Sequence, residues 1–383
     1  MSNNKRNLKI KYSNIFFIIV LIIFIYFLCS SKVLLEKEIP KVEIEEPKVT
    51  ETSLSLIMVG DCLIHGAIYD DAKTTNGSYD FSKMLELVKP IIQSYDLAFY
   101  NQESILGGVE LGLSSYPRFN APKEVGDAFL DLGFNLVSLA NNHTLDKGKE
   151  GIYSSLDYWR NKENIMTAGS YSSEENRITP NIMEKNGITY ALLAYTTTTN
   201  GLNTFKDEPY LITVYDEELV KADIERLRDK VDLLMVSMHW GEEYTHTPTE
   251  EQKEIAEYLA SLNVDIVIGH HPHVVQPIDF IDDTMVIYSL GNFIASQYGI
   301  NKLTGLMAGV TVKKTTIDDQ TIITLEEPTA QLVYIDSKIT NYRHDYKLYP
   351  YNLLTDDILE NYKDHYNKYM GIVTSLNNRV TPL

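Results

Sequence analysis

The sequence predicts an α/β fold, and three observations carry that prediction. Short apolar runs of strand length alternate with longer stretches of helical periodicity from residue 54 to about residue 295. Several of the apolar runs stop at or just before an Asp, Asn or His, as expected where the carboxyl ends of strands open onto a cleft. Hydrophobic residues make up 44% of the 383-residue chain, enough to fill a large core.

In chain order, 54–60 is a buried-strand pattern that delivers Asp61, and 81–94 has helical periodicity. The run 96–100 is the next strand, followed by Glu103. Residues 122–132 read as a helix with Pro122 near its start, 134–139 as a strand running into Asn142 and His143, and 151–162 as a helix. A strand at 188–194 and a helix at 217–229 precede the strand 231–237, which delivers His239. Thr247 and Pro248 read as the cap and first position of a helix over 249–262. Strands at 265–269 and 285–290 lead to His270, His271 and His273 and to Asn292. Beyond residue 305 the pattern is β only, with strands at 306–313 and 321–334, and the remainder is Tyr-rich and mixed. The C-terminal stretch 301–383 is expected to close the same domain as 52–300.

The N-terminus has a different character. Residues 1–13 are a basic tail carrying Lys5, Arg6, Lys9 and Lys11 and no acid, and 15–29 is unbroken in apolar and aromatic residues. As a helix that run spans about 22 Å, short of a ~30 Å hydrocarbon core. Val33, Leu34 and Leu35 extend it if Lys32 snorkels. The pattern predicts a single transmembrane signal anchor over 14–35, with the tail cytoplasmic and the rest of the chain outside. Secretion after signal cleavage is the rival reading. Residues 36–51 are charged and Pro-punctuated, a solvated stalk. Cys29 and Cys62 are the only cysteines. They lie far apart, so no structural disulfide is expected and Cys62 reads as a buried free thiol.

The formal net charge is −19, from 34 basic and 53 acidic residues. Such an acidic chain is a poor nucleic-acid partner and repels polyanions at long range. Any anionic substrate must therefore be held by metal and a few local cations.

Six of the nine histidines fall in the polar segments at predicted strand ends: His65, His143, His239, His270, His271 and His273. With Asp61, Glu103 and Asn142 they form the mixed N/O donor set of a divalent metal site, suited to Mn, Zn or Fe. Blander readings stand beside this one. His65 alone is as easily a loop histidine, His270 a spacer, His246 a loop residue, Asp146 a turn-fixing residue and Trp240 a packing residue.

The order of these segments resembles the calcineurin-like metallophosphatases. More closely, the chain resembles the CapA family of capsule synthesis (poly-γ-glutamate biosynthesis) proteins. The resemblance rests on Val59-Gly60-Asp61, Asn101-Gln102-Glu103, residues 116–122, 139–146, 238–244, 269–274 and Tyr288 through Phe293. It covers roughly residues 53–300 and implies a metallophosphatase-like four-layer α-β-β-α sandwich. It also implies two metal ions: Asp61, with His65, and His273 holding one, Asn142, His239 and His271 the other, and Glu103 bridging. His143 would be a proton donor. Arg118, Glu243 and Asn292 lie in the matched motifs as candidates to touch substrate, with a structural salt bridge the alternative for Arg118 and orientation of the loop around the His cluster the alternative for Asn292. Asp61 and His65 are four residues apart where the wider family has two, and Glu103 stands where a bridging Asp is usual.

The function so implied is an outward-facing, membrane-anchored protein of poly-γ-glutamate or other envelope-polymer synthesis or export, with hydrolase or transferase chemistry and membrane polymer-synthase partners. A secreted metallophosphoesterase and a noncatalytic scaffold are the alternatives.

Overall fold

The computed structural model describes residues 18–23, 48–318 and 320–383. The chain divides into two units, residues 1–47 and 48–383. In the first, 18–23 is helical; the basic tail and the rest of 14–35 lie outside the described residues. The expected transmembrane helix is not supported: among the described residues no helix is long and apolar enough to cross a membrane.

The second unit is built on two sheets. In the nine-stranded sheet, β1 (Val49–Leu63) is joined on one side by parallel β2 (Leu97–Asn101), β3 (Leu136–Ser138) and β4 (Met166–Ala168). On the other side β12 (Thr304–Ile317), β13 (Gln320–Ile339) and β14 (Arg343–Pro350) add antiparallel. The short β11 (Asn292–Ala295) runs parallel to the end of β1, and β15 (Thr381–Pro382) pairs with β13. Val49, Thr50 and Glu51, read as the end of a stalk, instead open β1 opposite Ile317, Thr316 and Thr315. The six-stranded sheet runs β5 (Met183–Lys185), β6 (Ile188–Thr196), β7 (Leu233–His239), β8 (Ile266–His270), β10 (Thr284–Ile287) and β9 (Ile278–Ile281).

Alternation along the strands sorts their side chains into layers. Leu192, Leu233, Met235 and Ile268 of the six-stranded sheet join the core shared with the nine-stranded sheet. Their neighbours Leu193, Leu234, Val236 and Val267 face the other way and pack under Ile224 of helix Glu217–Leu227 and Leu259 of helix Glu250–Ser261. Helices Glu124–Leu132 and Gly148–Arg160 pack against the nine-stranded sheet through Phe129 and Trp159. Central strands buried on both faces read as continuous apolar runs, which is why the sequence reveals them without alternation.

Three local readings change. The 81–94 helix is two short pieces, Ser82–Leu85 and Lys89–Ile92, because Pro90 has no N–H to continue the ladder. The cap of the later helix is Thr249, not Thr247; its hydroxyl accepts from Gln252 N at 3.2 Å, and Thr249 N donates in return to Gln252 Oε1 at 3.0 Å. The mixed C-terminal stretch contains a helix, Tyr362–Val373, that buries Tyr369, Met370 and Val373.

A polar clamp joins the two sheets. Asp232, at the foot of β7, accepts from Thr189 N at 2.9 Å and from Lys314 Nζ of β12 at 2.7 Å. Burial raises the Asp232 carboxyl, but the Lys314 and Thr189 bonds outweigh it and hold it below its ordinary 3.8. A depressed carboxylate stabilises the fold above the unfolded value, and the gain is lost as pH falls through the lower folded value. Asp232→Asn is therefore expected to cost about 1 kcal/mol at pH 7 after allowing for solvent screening. In urea denaturation the deficit should shrink steadily below about pH 4.

Candidate metal centre

The polar side chains of the site stand at the carboxyl ends of parallel strands from both sheets. β1 delivers Asp61 and β2 delivers Asn101, opposite each other in register. Glu103 follows β2, Asn142 and His143 follow β3, His239 ends β7, and His270 ends β8 with His271 and His273 just beyond. At Asp61 the neighbour of β1 changes from β12 to β11, and Asp61 N donates to Gly291 O at 2.9 Å. Gly60 makes this approach possible: a Cβ there would lie 1.7 Å from Gly291 O. His271 and His273 both adopt left-handed backbone, φ 98° and 56°, a costly conformation for residues with a Cβ. Tyr244 N pins the turn between them by donating to Pro272 O at 2.7 Å.

Asp61, Glu103 and His273 are each buried and offer ligand atoms all within 4.8 Å of one another. This group has the spacing to hold a metal ion. Neither carboxylate oxygen of Glu103 has a hydrogen-bond partner, and both are sealed from solvent. Such orphaned acceptors are rare in a folded interior, and a cation satisfies them. Burial, then the charge of Asp61, pushes the Glu103 carboxyl well above its ordinary range. Asp61 goes the other way: burial raises it, but hydrogen bonds from His270 and His273 outweigh that and hold it well below. Burial lowers His273, yet Glu103 and Asp61 lift it to about 9.

The second cluster adjoins the first. His239 Nε2 lies 3.0 Å from Asn142 Oδ1 and 3.8 Å from Glu103 Oε1. The His271 ring centre is 4.8 Å from that of His239, and His271 Nδ1 is buried without a partner. Burial, then the neighbouring His271, pushes His239 well below its ordinary value; burial, then His273, brings His271 to about 4. Neutral imidazoles are the form that binds metal.

Above these groups opens a groove of about 540 Å³ whose lining includes His143, His273, Arg118, Glu243 and His65. His143 Nδ1 donates to Asp146 Oδ2 at 2.7 Å, and Asp146 also accepts from Phe119 N at 2.6 Å. That pair fixes the ring and leaves Nε2 as its second functional atom. Arg118 and Glu243 are exposed in the groove. Asn292 is not in the groove but beneath it, fully buried. Its Oδ1 lies 3.1 Å from His273 Nδ1, and its Nδ2 donates to Lys302 O at 2.9 Å and Gln297 Oε1 at 3.0 Å. The amide has nothing left for substrate, so Asn292 orients His273. His65 lies apart from the carboxylates, its Nδ1 against Ser296 N.

The model of the family described as bacterial capsule synthesis protein PGA_cap matches residues 55–297, more than half the chain. The chain belongs to this capsule synthesis family. Among its relatives is the PGA biosynthesis protein CapA of Bacillus subtilis (strain 168), 28% identical over 265 residues, 66% of this chain and 67% of that one. The capsule biosynthesis protein CapA of Bacillus anthracis is 31% identical over 185 residues, 46% of this chain and 44% of that one. The solved 5'-nucleotidase from Candida albicans SC5314 overlays with TM-score 0.39 and 13% identity, covering 69% of this chain and 52% of its own.

Within this capsule synthesis protein, two contributors escaped sequence reading. Asn101 donates from Nδ2 to Asp61 Oδ1 at 2.9 Å and lies 3.5 Å from His239 Nδ1, tying the two clusters together. Its spacing of two from Glu103 was the available signal, since alternate strand residues share a face. His270, read as a spacer, stacks on Phe99 and sets its Nδ1 3.5 Å from Asp61 Oδ1. Trp240, His246 and Cys62 take their bland roles: Trp240 packs, with its indole N–H on Tyr288 O, His246 bonds Val275 O, and Cys62 is buried and free.

Glu103→Gln removes a carboxyl whose raised value costs stability at pH 7, because the unfolded chain ionises it freely. In chelator at pH 7 this variant should melt above the wild type, while Mn²⁺ or Zn²⁺ should raise the melting temperature of the wild type only. Thermal unfolding followed by circular dichroism reads both. A variant that melts lower in chelator would mean Glu103 has a stabilising partner of another kind.

Proposed function

We propose that this capsule synthesis protein is a metal-dependent hydrolase or transferase acting on the envelope polymer, poly-γ-glutamate, or on its precursor. The observation that carries the reading is that His273, of the buried Asp61–Glu103–His273 group, lines one groove together with the His143–Asp146 pair. In this reading Asp61, Glu103 and His273 would hold a divalent ion, and Asn142, His239 and His271 would be the donors for a second. Metal at such a site supplies Lewis-acid polarisation of an acyl or phosphoryl oxygen.

The chain's own residues then divide the remaining work. Arg118 is the groove's guanidinium and binds an anionic group of the substrate as a planar fork. His143 delivers a proton from Nε2 to the leaving atom, and Asp146 stabilises the imidazolium that precedes this transfer. Phe119 keeps water from one side of that ring, packing edge-on with centroids 4.7 Å apart. Asn292 and His270 hold His273 and Asp61 in place from behind.

His143→Ala is expected to lower turnover about 10²–10⁴-fold while leaving metal content unchanged. The assay measures release of γ-glutamyl product and, in parallel, phosphodiester cleavage, with elemental analysis of the same samples. Turnover that survives His143→Ala would contradict the acid role. Absence of turnover on either substrate by the metal-loaded wild type would favour a scaffold within the synthesis machinery.

A further inference from the structure

His65 is the motif histidine that the geometry detaches from the carboxylates. It precedes helix Gly66–Ala72 and stands outside the Asp61–Glu103–His273 group. Two backbone groups meet its Nδ1: Ser296 N–H at 3.2 Å and Leu63 O at 3.0 Å. One nitrogen cannot serve both as acceptor and as donor in one neutral tautomer. An orphaned N–H is rarer in proteins than an under-used carbonyl, whose oxygen has two lone pairs. Ser296 therefore decides the tautomer: Nδ1 accepts, and the ring proton sits on Nε2.

The residues that impose this arrangement come from beyond the family match at 55–297. Tyr346 of β14 places its hydroxyl 2.5 Å from Ser296 Oγ, and Arg343 of the same strand donates to Gln297 O at 2.7 Å. On its other side the His65 ring packs edge-on against Phe119, with centroids 5.0 Å apart at 78°. His143 packs against the same Phe119 at 4.7 Å and 78°. The two imidazoles thus flank one phenyl ring, and all three residues line the groove. Burial pushes His65 down to about 4, so the ring is neutral at pH 7.

We propose that His65 is a substrate-facing hydrogen-bond donor and not a metal ligand, presenting Nε2–H beside His143 to an anionic oxygen of phosphate or carboxylate type. An Nε2 that carries a proton has no lone pair for a metal, and an Nδ1 held by Ser296 has none to spare. The β14 strand of the C-terminal region, through Ser296 and Gln297, is what sets the orientation of this donor. The donor role rests on the groove being the substrate site; the exclusion from the metal shell does not.

The test uses the full-length protein with His65→Ala, His65→Gln (whose amide N–H restores a donor) and Asp61→Ala. After loading with Zn²⁺, metal content should be equal in the wild type and both His65 variants and reduced in Asp61→Ala. Nitrogen-15 spectra of the imidazoles should show His65 as the Nε2–H tautomer before and after Zn²⁺. Inorganic phosphate and γ-glutamylglutamate are the two anion probes. Whichever binds the wild type should bind His65→Ala about tenfold more weakly, with affinity largely recovered in His65→Gln. Metal lost in His65→Ala, or an Nε2 that gives up its proton on Zn²⁺ loading, would overturn the assignment. A wild type that binds neither probe would overturn the donor role together with the groove reading, and the metal and tautomer results would still judge whether His65 is a ligand.

Discussion

Two carboxylates that cannot both be comfortable in a dry interior govern this structure. Asp61 and Glu103 are fully buried within reach of the same His273, and the protein treats them unequally. Asp61 receives Asn101 and His273, with His270 Nδ1 3.5 Å away; Glu103 receives no hydrogen bond at either oxygen. Burying an ionised carboxylate without partners costs several kcal/mol. A fold that was selected for stability alone would fill the place of Glu103 with an apolar side chain. Its retention among imidazoles is the physical basis for reading the cluster as a cation site.

The architecture exists to bring that cluster together. Parallel strands from two sheets end on one side, and their terminal polar residues converge. The exchange of strand neighbours at Asp61 needs the bare backbone of Gly60, and the His271–Pro272–His273 turn needs two residues in left-handed conformation. These are local costs, offset by packing elsewhere: the sheets share one core, and the six-stranded sheet packs a second core under its helices. The C-terminal strands take part as well, since β12 pairs along most of β1 and β14 fixes the loop that meets His65. The family match ends at 297, but the site's supports continue to Tyr346.

Much of this was legible in the sequence because central strands are apolar throughout and stop abruptly at Asp61, Asn142, His239 and His270. The side on which each polar residue works was less legible. Asn292 sits in a motif beside the groove yet points beneath it, because β11 runs alongside β1 with Asn292 opposite Asp61. His270 read as a spacer beside His271, and Asn101 had no role of its own beside Glu103, since a motif string does not say which residues will meet across two sheets. The helix Tyr362–Val373 escaped because tyrosines and charged residues blur its apolar face. The apolar N-terminal run predicted a membrane span by composition alone, and the described residues contain no helix of that length.

We propose that the Asp61–Glu103–His273 group and the adjoining Asn142–His239–His271 cluster together form a two-metal centre. The most direct measurement is the metal content, by elemental analysis, of the purified full-length protein reconstituted with Mn²⁺ or Zn²⁺ and freed of loosely held ions. About two ions per chain are expected for a site of this kind. A chain that retains no divalent metal after reconstitution would contradict the account and leave the buried Glu103 without an explanation.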